Sequence, residues 1–300
     1  MMRVLVTGAS GFIGRQAVAA LVARGCEVVA VARQRGDDAP GVSWLAGDLL
    51  APGEPERLAR EARADALLHL AWCVSPGRFW TDPANLDWVG ASLRLVRAAA
   101  DSGTRRLVLA GTCFEYHWPA DADCVEDGTP LGGQTLYAVA KDSLRRTAEA
   151  FAAQEKLSFA WARLFHLYGP GESPARLVPQ IARALLAGEE ARASTGLMRR
   201  DFMDTRDAGA ALAALVAGEV TGAVNIASGE PVTVADIVTR LAALAGRPDL
   251  VRLGALPDRP GEPPRITADV RRLRQEVGAP APRPLDQGLA EALAYWRSGG

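Results

Sequence analysis

Nowhere in this chain do eighteen apolar residues run together, which excludes a helix long enough to span a membrane. No basic-then-apolar leader stands ahead of the first strand-like segment, so a cytoplasmic protein is expected. Charge of one sign is not in excess either. The formal net charge is −1, which argues against nucleic acid or a membrane surface as the main partner. Cysteine is scarce, and Cys26, Cys73, Cys113 and Cys124 form no close CxxC pair; reduced thiols are expected. There is no internal repeat and no low-complexity tract. What is present is ordinary: 300 residues, 49% hydrophobic and 23% charged, enough for a sizeable core in one large domain or two closely associated ones.

The most informative segment is Thr7-Gly8-Ala9-Ser10-Gly11-Phe12-Ile13-Gly14, directly behind the apolar run Val4–Val6. Val4–Val6 reads as a buried strand, and Gly11–Arg24 as a helix with Phe12, Ile13, Ala17, Ala20 and Leu21 near helical spacing. Glycines 8, 11 and 14 therefore fall on a strand-to-helix turn. Such a turn needs freedom from Cβ strain and close approach of backbone to a diphosphate, and the helix N-terminus offers unpaired N–H groups to the phosphates. A three-glycine turn alone is weak, but this placement predicts a dinucleotide site.

Strand and helix patterns alternate after it. Strands are predicted at Val4–Thr7, Glu27–Val31, Val42–Leu45, Ala66–Leu70, Arg106–Ala110 and Phe159–Leu164, with helices at Glu54–Arg63, Pro83–Ser102 and Leu136–Gln154 between them. Strands separated by helices of this length specify an α/β fold with a Rossmann-type doubly wound parallel sheet. Beyond Leu164 the texture changes, with Pro and Gly in 166–174, helical stretches at Leu177–Ala187, Thr205–Ala217 and Val234–Ala245, and a short strand at Ala223–Ile226. Residues 1–165 are expected to form the dinucleotide-binding domain. Residues 166–300 mainly form a smaller α/β substrate-binding domain, with about 197–230 returning to the first. The Pro-rich stretch Leu256–Pro264 reads as a functional loop.

Tyr137 and Lys141 are four residues apart on one predicted helix face, so phenol and ammonium project side by side. The ammonium is expected to favour phenolate and lower the tyrosine pKa, which suits a general acid or base. As a bare pattern, YxxxK also fits a surface pair. Thr112 raises it, because it follows the strand Arg106–Ala110 and ligands collect beyond the carboxyl ends of parallel strands. A hydroxyl, a phenol and an ammonium make a proton-transfer set, for which a nicotinamide would supply the hydride.

These motifs together resemble the extended short-chain dehydrogenase/reductases, the NAD-dependent epimerase/dehydratase group that acts on nucleotide sugars. The resemblance covers nearly the whole chain. It rests on Thr7–Gly14, Gly47-Asp48-Leu49, His69-Leu70-Ala71, Thr112, and YAVAK (Tyr137–Lys141). It continues through RLFHLYGPGE (Arg163–Glu172), RRDFMDTRDAGAA (Arg199–Ala211), NIASGEPVT (Asn225–Thr233) and RPGE (Arg259–Glu262). Twenty-five positions separate Thr112 from Tyr137, which also suits the family.

The resemblance implies that the cofactor is held by Gly8, Ser10, Gly11, Phe12, Ile13 and Gly14. Asp48 and Leu49 look like adenine contacts, and Leu70 and Ala71 like the loop over the diphosphate. Tyr137 and Lys141 resemble the catalytic acid/base and its ribose-binding lysine, with Thr112 as the third catalytic member. Arg200 and Arg259 fall where the family holds the sugar nucleotide's diphosphate, which suits a guanidinium fork. His166 and Cys113 fall at substrate-facing positions. His166 alone also fits a hydrogen-bonded pocket wall and is given no proton-transfer role. His69 reads as a strand-end core residue. Trp72, Phe114, Tyr116 and Trp118 are candidates to line the sugar pocket, though packing explains the apolar ones equally well. No metal enters this scheme.

Three departures narrow the reaction. Dehydratases of the family carry an acidic pair directly after the catalytic hydroxyl, where this chain has Cys113 and Phe114. Relatives that epimerise and reduce place a cysteine and a histidine where Phe114 and Gly171 stand. The acidic residue that usually ends the second strand is replaced by Ala32-Arg33, with Arg35 nearby, which favours NADP (NADPH) over NAD. The expected activity is NADPH-dependent reduction of a nucleotide-linked keto sugar, at C4 of a 4-keto-6-deoxyhexose. The AGTCFEY, HLAW and RLFHLYGPGE patterns most resemble the CDP-abequose and paratose synthase branch. An NAD-dependent C4-epimerase is the alternative, and a non-catalytic NADP-binding regulator the third. The expected assembly is a homodimer through helices Pro83–Ser102 and Leu136–Gln154, as in the family, both rich in Ala and Leu.

Overall fold

In the computed structural model, all residues are described except Asp38, Pro76 and Gly300. The stretch Trp72–Trp80, expected from the sequence to help set the choice of sugar and nucleotide, includes Pro76, which lies outside the described residues. The chain opens with β1 (Arg3–Thr7), α1 (Gly14–Ala23), β2 (Glu27–Ala32), β3 (Val42–Ala46), α2 (Glu54–Ala62) and β4 (Ala66–His69). It continues through α3 (Ala84–Asp101), β5 (Arg106–Thr112), α4 (Leu136–Gln154), β6 (Ser158–Leu164) and the short β7 (His166–Tyr168). Then come α5 (Leu177–Ala187), β8 (Ala191–Arg192), β9 (Arg199–Asp204), α6 (Thr205–Ala217), β10 (Gly222–Ile226) and β11 (Pro231–Thr233). The last elements are α7 (Val234–Ala245), β12 (Val251–Arg252), β13 (Arg265–Ile266) and α8 (Leu285–Arg297).

The central strands are apolar on both faces because both faces are covered. Val4, Val6, Val28, Ala30, Leu68 and Val108 pack with residues of α1 and α6 on one side. The alternate set, Leu5, Val29, Leu67, Leu107, Leu109 and Trp161, packs with α2, α3 and α4 on the other. The result is a seven-stranded parallel sheet in the order β10-β6-β5-β4-β1-β2-β3. The chain order reverses between β1 and β4, so the switch point lies beside the glycine turn. The strand β10 arrives late in the chain yet pairs with β6, and α6 packs on α1. Gly209 makes that contact possible, since a Cβ there would sit 2.6 Å from the Gln16 carbonyl carbon.

A second core gathers α5, α7 and α8 around Ile181, Ile237, Leu241, Leu289 and Tyr168. A small sheet, β11-β9-β13 with β7 also on β9, is built from strands that alternate with this lobe's helices along the chain. Two boundaries differ clearly from expectation. The first helix starts at Gly14 because 11–13 still form the turn, and β5 runs two residues further, to Thr112. β9 and α8 were not anticipated.

Candidate active site

The glycine turn is shaped by backbone crowding. Gly8 has φ of +70°, and a Cβ there would lie 2.8 Å from the Ala71 amide nitrogen; a Cβ on Gly14 would lie 2.0 Å from the Gly8 carbonyl oxygen. The Gly11 N–H closes the turn onto Gly8 O at 2.9 Å. Among the described residues the Phe12 and Ile13 amides find no backbone acceptor, ahead of the positive end of α1. This tight turn with free N–H groups and an exposed Ser10 fits a dinucleotide diphosphate. Leu70 and Ala71 lie against the turn at β4's end, held by the Leu70 N–H on Thr7 O at 3.2 Å. Asp48 is exposed with Oδ1 accepting the Leu50 N–H, Leu49 beside it is buried, and Arg33 is exposed just beyond β2.

Thr112, Tyr137 and Lys141 come together. Thr112 ends β5, and its Oγ1 accepts the Phe114 N–H at 3.3 Å. The Thr112 side chain lies near the Tyr137 phenol and draws its pKa down. Lys141 Nζ donates to Ala110 O at 3.0 Å and lies 3.8 Å from the centre of a Trp72 ring. Tyr137 is 8% exposed and Lys141 3%. This burial overturns the expected lowering of the tyrosine pKa: desolvation pushes the phenol above its ordinary range, and the opposing pull comes from Thr112 and Arg176. For Lys141, burial lowers the pKa to about 7, while Glu115 pulls it back up.

Around Tyr137 runs a line of rings. Phe79 meets it at 4.9 Å and Trp80 at 5.9 Å between centres, Trp80 packs edge-on to Phe114, and Phe114 touches Trp118 and His166. His166 lies between Phe114 and Phe202. Its Nδ1 is buried without a partner in the described protein, and burial together with Arg200 and Arg176 lowers its pKa to about 3. The hydrogen-bonded wall is therefore not what is found. His69 is buried as expected, with Nδ1 on Thr7 Oγ1 at 2.6 Å and Nε2 on Ser92 Oγ at 2.8 Å. Cys113 is buried, and its carbonyl accepts Trp118 Nε1–H at 3.0 Å. Arg200 is 3% exposed and paired to Glu262 at 2.8 Å, so the diphosphate candidate is already bound to the 256–264 loop. Arg259 is exposed on that loop.

Three neighbours escaped the sequence reading. Glu115 accepts the Thr112 N–H, and Thr112-x-x-Glu115 spells a capping box that could have been read. Glu172 is buried with one carboxylate oxygen unpartnered, and burial lifts its pKa to about 8 against the pull of Arg176. Arg176, exposed at the start of α5, acts on Tyr137, His166 and Glu172 together; nothing in the local sequence singles it out.

Residues 4–227 match the sequence model of the NAD dependent epimerase/dehydratase family. The chain belongs to that family. Among the family's characterised members, it is 28% identical to the dTDP-6-deoxy-L-talose 4-dehydrogenase (NAD(+)) of Aggregatibacter actinomycetemcomitans, over 77% of this chain and 86% of the other. It is 26% identical to the UDP-glucose 4-epimerase of Mycolicibacterium smegmatis, over 99% of both. The crystal structure of Thermus thermophilus UDP-glucose 4-epimerase in complex with NAD superposes with a TM-score of 0.86, at 25% identity, covering all of both chains.

Proposed function

We propose that this family member reduces a nucleotide-linked keto sugar with NADPH, at C4 of a 4-keto-6-deoxyhexose. The observation that carries the reading is the buried Thr112–Tyr137–Lys141 set with no carboxylate directly after Thr112. Gly8–Gly14, Leu70 and Ala71 would hold the diphosphate, Asp48 and Leu49 the adenine, and Lys141 the ribose. The nicotinamide cofactor supplies the hydride when bound. Tyr137 gives its proton to the forming alkoxide, which suits a phenol kept protonated by burial, and Thr112 orients the carbonyl oxygen. Arg200 and Arg259 serve the substrate diphosphate, His166 and Cys113 the pocket wall. In this reading 1–165, with about 197–230, form the cofactor half, and the remainder of 166–300 forms the sugar half.

Two further points belong to the proposal. NADP preference rests on this chain's own Ala32 and exposed Arg33, whereas the similar dehydrogenase is named for NAD(+) and the similar solved epimerase holds NAD. The homodimer rests on α3 and α4, which leave Leu86 63% and Val139 49% exposed. A C4-epimerase is the second reading, and the epimerase relatives support it as strongly as the dehydrogenase supports reduction. A non-catalytic regulator comes third, since Tyr137 and Lys141 are both present. The test is NADPH oxidation against CDP-, dTDP-, GDP- and UDP-linked 4-keto-6-deoxy sugars. Turnover of one supports reduction, and turnover of none contradicts it.

A further inference from the structure

Asn85 is the second residue of α3 and is only 2% exposed. Both ends of its side chain are in use. Nδ2–H donates to Phe79 O and to Asp82 O, each at 2.8 Å, and Oδ1 accepts Trp72 Nε1–H at 2.9 Å. Turned over, the amide would set its oxygen against two carbonyls and its nitrogen against an indole N–H. Its partners therefore allow one orientation.

The bonds lead to two members of the catalytic set. Trp72 lies with a ring centre 3.8 Å from Lys141 Nζ. Phe79 meets the Tyr137 ring edge-on at 4.9 Å. The next residue, Trp80, packs edge-on against the same ring at 5.9 Å, and its carbonyl accepts the Tyr137 N–H at 3.1 Å. Tyr137 is the second residue of α4, so this N–H is one that the helix itself leaves without an acceptor. The Asp82 carbonyl, which also takes the Asn85 N–H at 3.0 Å, ties the same loop to the start of α3. Asn85 makes no hydrogen bond to Tyr137 or Lys141 among the described residues, yet the groups packed on both hang from its one amide.

We propose that Asn85 is a positioning residue, a buried amide that sets Trp72 against Lys141 and the Phe79-Trp80 backbone against Tyr137, and so fixes the spacing of ammonium and phenol. The proposal deepens the reductase reading and rests on its catalytic set. The arrangement it requires is present in the unliganded protein, where it can be measured whether or not a keto sugar is reduced.

The chain has two lysines and four tyrosines. Full-length protein labelled with 13Cε-lysine and 13Cζ-tyrosine gives that many signals, assigned with Lys156→Arg and Tyr137→Phe. In Asn85→Ala both the Lys141 and the Tyr137 signals should move. On any sugar that the wild type turns over, kcat should fall about 100-fold, the cost of a misplaced reacting group. Thr104→Ala is the control. Thr104 is also 2% exposed, with Oγ1–H on Ala64 O at 2.8 Å, and it precedes the end of β5 opposite Thr112. That variant should lower the melting temperature and leave both signals in place. A merely structural Asn85 would behave in the same way. Unmoved signals in Asn85→Ala overturn the proposal, as do signals that move while kcat is kept. Should Asn85→Ala not fold, Asn85→Ser, which retains a hydroxyl but cannot make all three bonds, is read by the same criteria. Failure to reduce any keto sugar would contradict the reductase reading and leave the two signals to decide the role of Asn85.

Discussion

The Lys141 ammonium lies 3.8 Å from the centre of a Trp72 ring while donating to Ala110 O at 3.0 Å. Trp72 is itself fixed, with Nε1–H on Asn85 Oδ1 at 2.9 Å and its rings stacked on Trp88. An ammonium held over an indole away from water is stabilised by roughly 2 kcal/mol, without a carboxylate in direct contact. Two of its three N–H groups are not committed to Ala110. They are what a ribose would need.

Tyr137→Phe is therefore expected to lower kcat by at least about 100-fold, while cofactor affinity stays within about twofold, since only the transferable proton is lost. Lys141→Ala should damage both, because it removes the donor group and the charge next to Trp72. Steady-state rates with calorimetric cofactor titration check this. A Tyr137→Phe enzyme that retains most of its rate contradicts the assigned role.

Acid stability follows from the buried histidines. The folded state holds His69 at about 3, against an ordinary 6.5, so the unfolded chain binds the extra proton between those values. Stability contributed this way is complete above pH 6.5 and is lost as the pH falls toward 3. His166 behaves alike. Glu172 acts oppositely: its folded-state pKa near 8, against 4.5, makes stability rise as the pH drops through that window. His69→Gln should accordingly remove about 2 kcal/mol of the loss between pH 7 and pH 5, read from urea unfolding at the two pH values. An unchanged pH slope would show that His69 charges freely in the folded state.

The parts of the fold open to sequence reading were those in which polarity and burial agree. The runs at β1, β2, β4 and β5 are apolar because both sheet faces are covered, and α4, α5, α6 and α7 end where their apolar spacing ends. β9 was hidden because Arg200, Asp201 and Asp204 are buried with partners: Glu262 for Arg200, the Ser228 and Gly229 amides for Asp201, and Arg206 for Asp204. A burial pattern built on such pairs looks like a charged loop in sequence. α8 was missed, although Leu285, Leu289, Ala292 and Leu293 stand at helical spacing. At the site, Thr112, Tyr137 and Lys141 were visible from motif and order. Glu172, Arg176 and the Trp72 contact depend on how distant segments fold back, and local spacing carries no trace of that.

Cofactor choice is tested by Arg33. Ala32 closes β2 without a carboxylate to bind a ribose or repel a 2′-phosphate, and Arg33 follows it exposed. Arg33→Ala is expected to weaken NADP binding about tenfold and to leave NAD nearly unchanged, in line with one charge-assisted phosphate contact of about 1.5 kcal/mol. Tighter binding of NAD than NADP by the unmodified protein would remove the basis of this assignment.

The central claim is net reduction of a nucleotide-linked keto sugar, and stoichiometry tests it most directly. NADPH consumed and sugar converted would be measured in the same reaction, by absorbance and by product analysis. One NADPH oxidised per sugar, with loss of the keto group and no inversion at C5, is the predicted result. Interconversion of two nucleotide sugars without added cofactor would contradict it and make the protein an epimerase.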